Sequence, residues 1–198
     1  METFRQHIER AAARALAEFP PEAVPDIYTV TFRIDSVDQD PRFPYLAIGY
    51  NTDGEVRRLS ATASPSEAWE VRWSYAYFPP SGLEGVRVVG HDPDHDPAGA
   101  QAHRREAAAQ GLWYEDDELT DEEINERDEL LGRRFHELCV DVARHLHTGG
   151  HIVTALGRPL PVILYDMFDP DAMFALTAAA NPADLITEFM TEDPASQT

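Results

Sequence analysis

The segment from Thr120 to Gly150 constrains this chain more than any other. Thr120 and Glu123 are spaced as a capping box, in which each side chain satisfies the other's backbone amide, and Gly149-Gly150 supplies a stop. Between these signals Ile124, Leu131, Phe135, Leu138, Val142 and Leu146 recur on one stripe at helical spacing. The pattern predicts one helix from about 120 to 147. An apolar face of that length must be covered by a sheet or by other helices, so the rest of the chain has to supply a layer of comparable size.

The first half supplies strands. Ile27–Ile34 is β-branched and aromatic, with Ile27, Thr29, Thr31 and Arg33 alternating against Tyr28, Val30, Phe32 and Ile34. Tyr45–Tyr50 reads as its partner across a proline-containing loop at 35–44, and Asn51-Thr52-Asp53-Gly54 reads as a turn. Val71–Phe78, Val86–Val89, Ile152–Leu156 and Val162–Tyr165 are further strand candidates. Helices are expected at residues 3–18, from Ser64-Pro65, over Ala98–Gln110, after Asp169-Pro170, and from Asn181-Pro182 through Met190. The expected architecture is an α+β domain, a mostly antiparallel central sheet flanked by helices. It spans residues 1–190 with a polar tail at 191–198.

Charge narrows the partners. Acidic residues number 36 against 16 basic ones, for a net charge of −20, and every basic residue is Arg. An absence of Lys matches the codon bias of a GC-rich bacterium. A charge of this sign disfavours nucleic acid, whose binding relies on cations, and anionic membrane surfaces. It favours encounter with a basic protein partner. The charge is concentrated: residues 115–129 hold ten acids against Arg127, a net of −9. Glu115, Asp116, Asp117, Glu118, Asp121 and Glu122 are therefore the candidate partner-binding residues. One form of this reading is a mimic of nucleic-acid charge that blocks a basic, nuclease-like protein. The bland reading is a solvated, dipole-matched helix start.

Two groups of metal-ligating residue types also stand out. His91, Asp94 and His95 lie in a short loop with Asp92 and Asp96, and imidazole plus carboxylate suits a divalent metal. That site would support a metal-dependent hydrolase, the alternative to a cofactor-free binding protein. The bland reading is a solvated polar loop. His136, Cys139, His145, His147 and His151 are a second candidate zinc group, without the usual paired-ligand spacing. Cys139 also reads as a small core residue, and His145 and His147 as favourable charges at a helix C-terminus. Trp73, Tyr75 and Tyr77 would share one face of the third strand. A P-loop lysine and a Schiff-base lysine are excluded for want of Lys, and no GxGxxG, GxSxG or HExxH occurs.

No run approaches the length and apolarity of a membrane span. Met1–Arg10 carries charges and no apolar h-region, so it does not read as a secretory signal. The single Cys139 fits a reducing compartment, and a cytoplasmic location is expected.

Several short motifs resemble a bacterial domain-of-unknown-function family. They are Asn51-Thr52 with Glu55, Arg72-Trp73-Ser74, Leu156-Gly157-Arg158-Pro159-Leu160-Pro161-Val162-Ile163, and Asn181-Pro182. The resemblance covers roughly residues 4 to 190. It implies no catalytic residues; what it implies is an immunity-like or toxin-neutralising role for an intracellular bacterial protein.

Overall fold

The computed structural model describes residues 2–115 and 119–192. Helix α1 (Phe4–Ala17) opens on a capping box between Thr3 and Gln6 and buries Phe4, Ile8, Ala12 and Ala15. Strands β1 (Ile27–Ser36) and β2 (Pro44–Thr52) form an antiparallel hairpin in which Val30 faces Tyr50 and Ile34 faces Leu46. The chain then makes α2 (Asp53–Ser60), α3 (Ala68–Trp73) and α4 (Pro80–Leu83) before β3 (Arg87–Gly90) pairs antiparallel with β2. Helices α5 (Pro97–Ala109), α6 (Asp121–Thr148) and α7 (His151–Leu156) lead to β4 (Val162–Asp166), and α8 (Met173–Ala180) follows. The predicted long helix is α6, 28 residues with the Thr120–Glu123 capping box formed.

The sheet order is β3-β2-β1-β4. Two of its pairings are antiparallel, but β4 lies parallel to β1, with Val30 beside Val162 and Ile34 beside Asp166. The sheet is therefore mixed. Because β1 and β4 run the same way, their carboxyl ends meet at one end of the sheet, and that end becomes the site described below.

Both faces of the sheet are covered. On one face Val30, Phe32, Ile34, Leu46, Ile48, Val162 and Leu164 pack against Ile8, Phe135, Leu138, Val142, Leu146 and Ile152 of the helices. On the other, Tyr28, Ile163 and Tyr165 meet Trp73, Phe78, Ile186 and Phe189. Strict alternation would put Tyr28 on the same face as Val30. A register irregularity between Ile27 and Thr29 reverses the parity and sends Tyr28 to the aromatic side. Where α4 crosses β2, a Cβ at Gly49 would stand 1.9 Å from the Ser81 carbonyl oxygen, so only glycine permits that approach.

Four local expectations are overturned. Asn51–Gly54 is not a turn: Thr52 accepts the Glu55 amide and caps α2. Val71–Phe78 is not a strand, because the Ser64–Glu67 capping box starts a helical run that continues through Trp73. The four-residue spacing of Trp69 and Trp73 fits that helix. Ile152–Leu156 is helical as well: Gly150 turns the chain at φ 69°, and Ile152 and Leu156, four apart, are the buried pair. Asn181 opens no helix to Met190. Its side chain instead clamps β4, accepting the Val162 amide at 2.7 Å and donating to the Val162 and Thr177 carbonyls at 2.7 and 2.8 Å. The polar tail lies, from residue 193 onward, outside the described residues.

Candidate functional site

A cleft of about 440 Å³ opens where the carboxyl ends of β1 and β4 meet α6. Crevices at the carboxyl ends of parallel strands are favoured ligand positions, because the loops there diverge around an open end of the sheet. Its apolar surface comes from Ile34, Pro41, Pro44, Phe135 and Phe168. Phe168 is 53% exposed, one of two large apolar side chains left so open among the described residues.

Carboxylates dominate its polar lining. Asp35, Asp128, Glu129, Asp166 and Asp169 share the cleft with Arg133 and His136. Asp166 closes β4 and is buried. One of its oxygens accepts the Phe168 and Asp169 amides at 2.7 and 3.0 Å; the other meets Nε2 of His136. Burial works to raise its pKa, but the bonds from His136 and the two amides prevail and hold the carboxyl below the usual range. Asp35 accepts Arg33 at 2.6 Å, the Tyr45 hydroxyl at 3.1 Å and the Ser36 amide at 2.8 Å. Asp128 accepts the Tyr114 hydroxyl at 2.6 Å, and burial raises its pKa.

The acidic wall continues beyond the cleft. Asp121 and Glu122 each precede a cleft residue, Asp128 and Glu129, by seven positions on α6. Seven residues are two turns, so the pairs share a face about 10 Å apart. Glu115 is engaged within the chain, accepting the Trp113 indole at 3.0 Å and lying 3.5 Å from Arg104. Asp116, Asp117 and Glu118 lie outside the described residues.

The His/Asp loop is organised differently from a metal centre. Asp92 turns inward and accepts the Asp94 and His95 amides at 3.0 and 3.1 Å and the His95 ring at 2.8 Å. Asp96 caps α5 through the Gly99 amide and takes a bond from His7 Nε2 at 2.8 Å. His91 points away from both, into a buried contact with His103 at 2.9 Å between Nδ1 atoms. Asp94 is exposed. His91, Asp94 and His95 are thus not gathered on a common centre, and among the described residues no three His, Cys, Asp or Glu side chains are placed to hold a metal ion.

The second histidine group also disperses. His136 joins Asp166, His147 bonds Asn181 at 3.0 Å, and His145 stacks beside His151 with centroids 5.1 Å apart. Burial lowers the pKa of His147, which favours the neutral ring over the helix-end cation expected for it. Cys139 is fully buried; burial, then the Asp166 charge, push its thiol well up, so it behaves as a core residue.

Sequence reading missed the pairing of His136 with Asp166 and the role of Asp35. The available signal was the strand Val162–Asp166 itself, where four buried apolar residues end on a carboxylate. A carboxylate there sits at the boundary between sheet and loop, where functional side chains collect. Chemically, the His–Asp pair has no attacking group bonded to it: Ser36 lines the same cleft, yet no hydrogen bond links it to His136 among the described residues. What remains is a mostly apolar recess with carboxylates at its polar edge. Compared with known proteins, the chain matches no family model, no curated protein and no solved structure.

Proposed function

We propose that the protein is a non-enzymatic binding protein of the bacterial cytoplasm that engages a basic protein partner through this cleft and the acidic start of α6. The observation that carries the reading is the gathering of five carboxylates around an apolar recess with an exposed aromatic ring at its lip. An arginine side chain fits that description: its guanidinium pairs with carboxylates and stacks on aromatic faces, and its stem covers apolar surface. The partner-binding residues are Asp128 and Glu129 within the cleft and Asp121 and Glu122 two turns away. An immunity-like role is the narrower form of the proposal, since neutralising a basic toxin uses the same complementarity.

The test is a titration with an arginine-rich peptide at low and at high salt. Wild-type binding should weaken as salt rises, because the complementary charges are screened. The double variant Asp128→Asn, Glu129→Gln should lose about tenfold in affinity, the equivalent of about 1.4 kcal/mol. Binding that ignores both salt and the double substitution overturns the proposal.

A further inference from the structure

Positive charge is scarce in this chain, with 16 Arg against 36 acids, yet three of those Arg meet at one cavity. It measures about 250 Å³ and lies between α1, β3 and the start of α5. Arg10, Arg14, Arg87, His7 and His95 line it, and Asp96 is the one carboxylate in that lining. His7, Arg10 and Arg14 come from one face of α1, because spacings of three and four place them in a row. The cavity also meets α5 at Ala98 in its first turn, where the helix dipole is positive.

The carboxylate in this lining is already satisfied. Asp96 accepts the Gly90 and Gly99 amides, each at 3.0 Å, and His7 Nε2 at 2.8 Å. A guanidinium can only donate, so the 3.3 Å contact from Arg10 makes His7 Nδ1 an acceptor and leaves the ring proton on Nε2, facing Asp96. The Arg side chains are less fully used. Arg10 gives Nη2 to Glu2 and His7, and Arg87 gives Nε and Nη2 to Glu18. Arg14 is exposed and makes no hydrogen bond or ion pair among the described residues. Glu2 and Glu18 thus answer two of the three guanidiniums, and the third is left without a counter-charge in a chain that has more than two acids for every Arg.

A cavity with surplus guanidinium donors from a helix and a strand prefers an anion with several oxygens. One Arg fork satisfies a carboxylate, whereas a phosphate offers three or four oxygens and accepts from several directions at once. The net charge of −20 repels an extended polyanion. A small anion in the cavity responds mainly to charges within the screening length, about 8 Å at physiological ionic strength. We propose that this cavity binds the phosphate group of a small molecule through Arg14, with Arg10 and Arg87. None of its lining residues belongs to the acidic cleft, so the site stands whether or not the cleft takes a cation.

The experiment follows the Arg Nε–H resonances and the backbone amides of Arg14, Val88 and Ala98 during titration at constant ionic strength. The probes are inorganic phosphate, glycerol 3-phosphate, acetate and a phosphoserine peptide. Phosphate or glycerol 3-phosphate should shift these resonances saturably, and acetate should not. Tighter binding of the ester assigns a phosphorylated small molecule, and equal binding assigns free phosphate; either supports the site. Arg14 holds no partner in the fold, so Arg14→Gln should leave stability unchanged and weaken binding about tenfold. Arg57→Gln on α2, the same loss of charge outside this cavity, should leave binding unchanged. An equal response to acetate, tighter binding of the phosphopeptide than of both small phosphates, equal weakening by Arg14→Gln and Arg57→Gln, or no saturable shift overturns the proposal.

Discussion

At the scale of single residues, the chain invests its histidines in structure. The His91–His103 contact is a nitrogen-to-nitrogen hydrogen bond, so one ring must donate and the other accept. Burial pushes His103 down to about 3, helped by the neighbouring His91, and lowers His91 too. The unfolded chain takes up a proton near the ordinary value of 6.5, whereas folded His103 stays neutral until far lower pH. Stability is therefore fully present above that ordinary value and is lost as pH falls from there toward the folded pKa. Each such group contributes a slope of up to about 1.4 kcal/mol per pH unit. Urea midpoints should decline steadily from pH 7 to pH 5, a range above the usual carboxylate titrations; a flat profile there contradicts the assignment. The sequence showed His91 as one member of a polar cluster. Its partner is twelve positions away on α5, a contact that spacing alone does not reveal.

At the scale of elements, the cap signals at Ser64 and Thr120 marked helix starts, whereas the one at Asn181-Pro182 did not. The Ser64 and Thr120 caps read from the sequence both form, with the helix starts expected from them, and the Thr3 box, which the sequence reading did not use, forms as well. Two of the four errors came from β-branched and aromatic segments read as strands; the others were the Asn51–Gly54 turn and the helix from Asn181. Val71–Phe78 and Ile152–Leu156 have strand-like composition, yet each follows a helix-starting device, and Ile152 and Leu156 are buried at four-residue spacing. Propensity is a weak preference that packing overrides. The same reasoning gives a test on α6. Thr120→Ala removes the hydroxyl that accepts the Glu123 amide and donates to the Glu123 carboxylate, while the carboxylate keeps its bond from the backbone amide of residue 120, and should cost about 1 kcal/mol. The amides of Glu123 and Ile124 should then exchange faster with solvent, while those around Leu138 and Val142 keep their protection.

At the scale of the whole molecule, a net charge of −20 acquires a direction. The α+β architecture and the long helix were legible in the sequence; the parallel placement of β4 was not, because strand direction depends on how α5, α6 and α7 return the chain to the sheet. That placement brings Asp35 and Asp166, far apart in sequence, to one end of the sheet opposite Asp128, Glu129 and His136. The acidic stretch leads into the helix that lines the cleft. The cleft beside it comes from strand ends whose carboxylates are single and unremarkable in the sequence. Among the described residues no helix is long and apolar enough to cross a membrane.

The central claim is that cationic side chains enter this cleft rather than settle over the acidic surface at large. Backbone amide resonances recorded during titration with an arginine-rich peptide test it directly. The account predicts that the largest shifts cluster on Asp35-Ser36, on Asp128–His136 and on Phe168-Asp169. Shifts of equal size over all the acidic segments, or a maximum on a face remote from the carboxyl ends of β1 and β4, would contradict it.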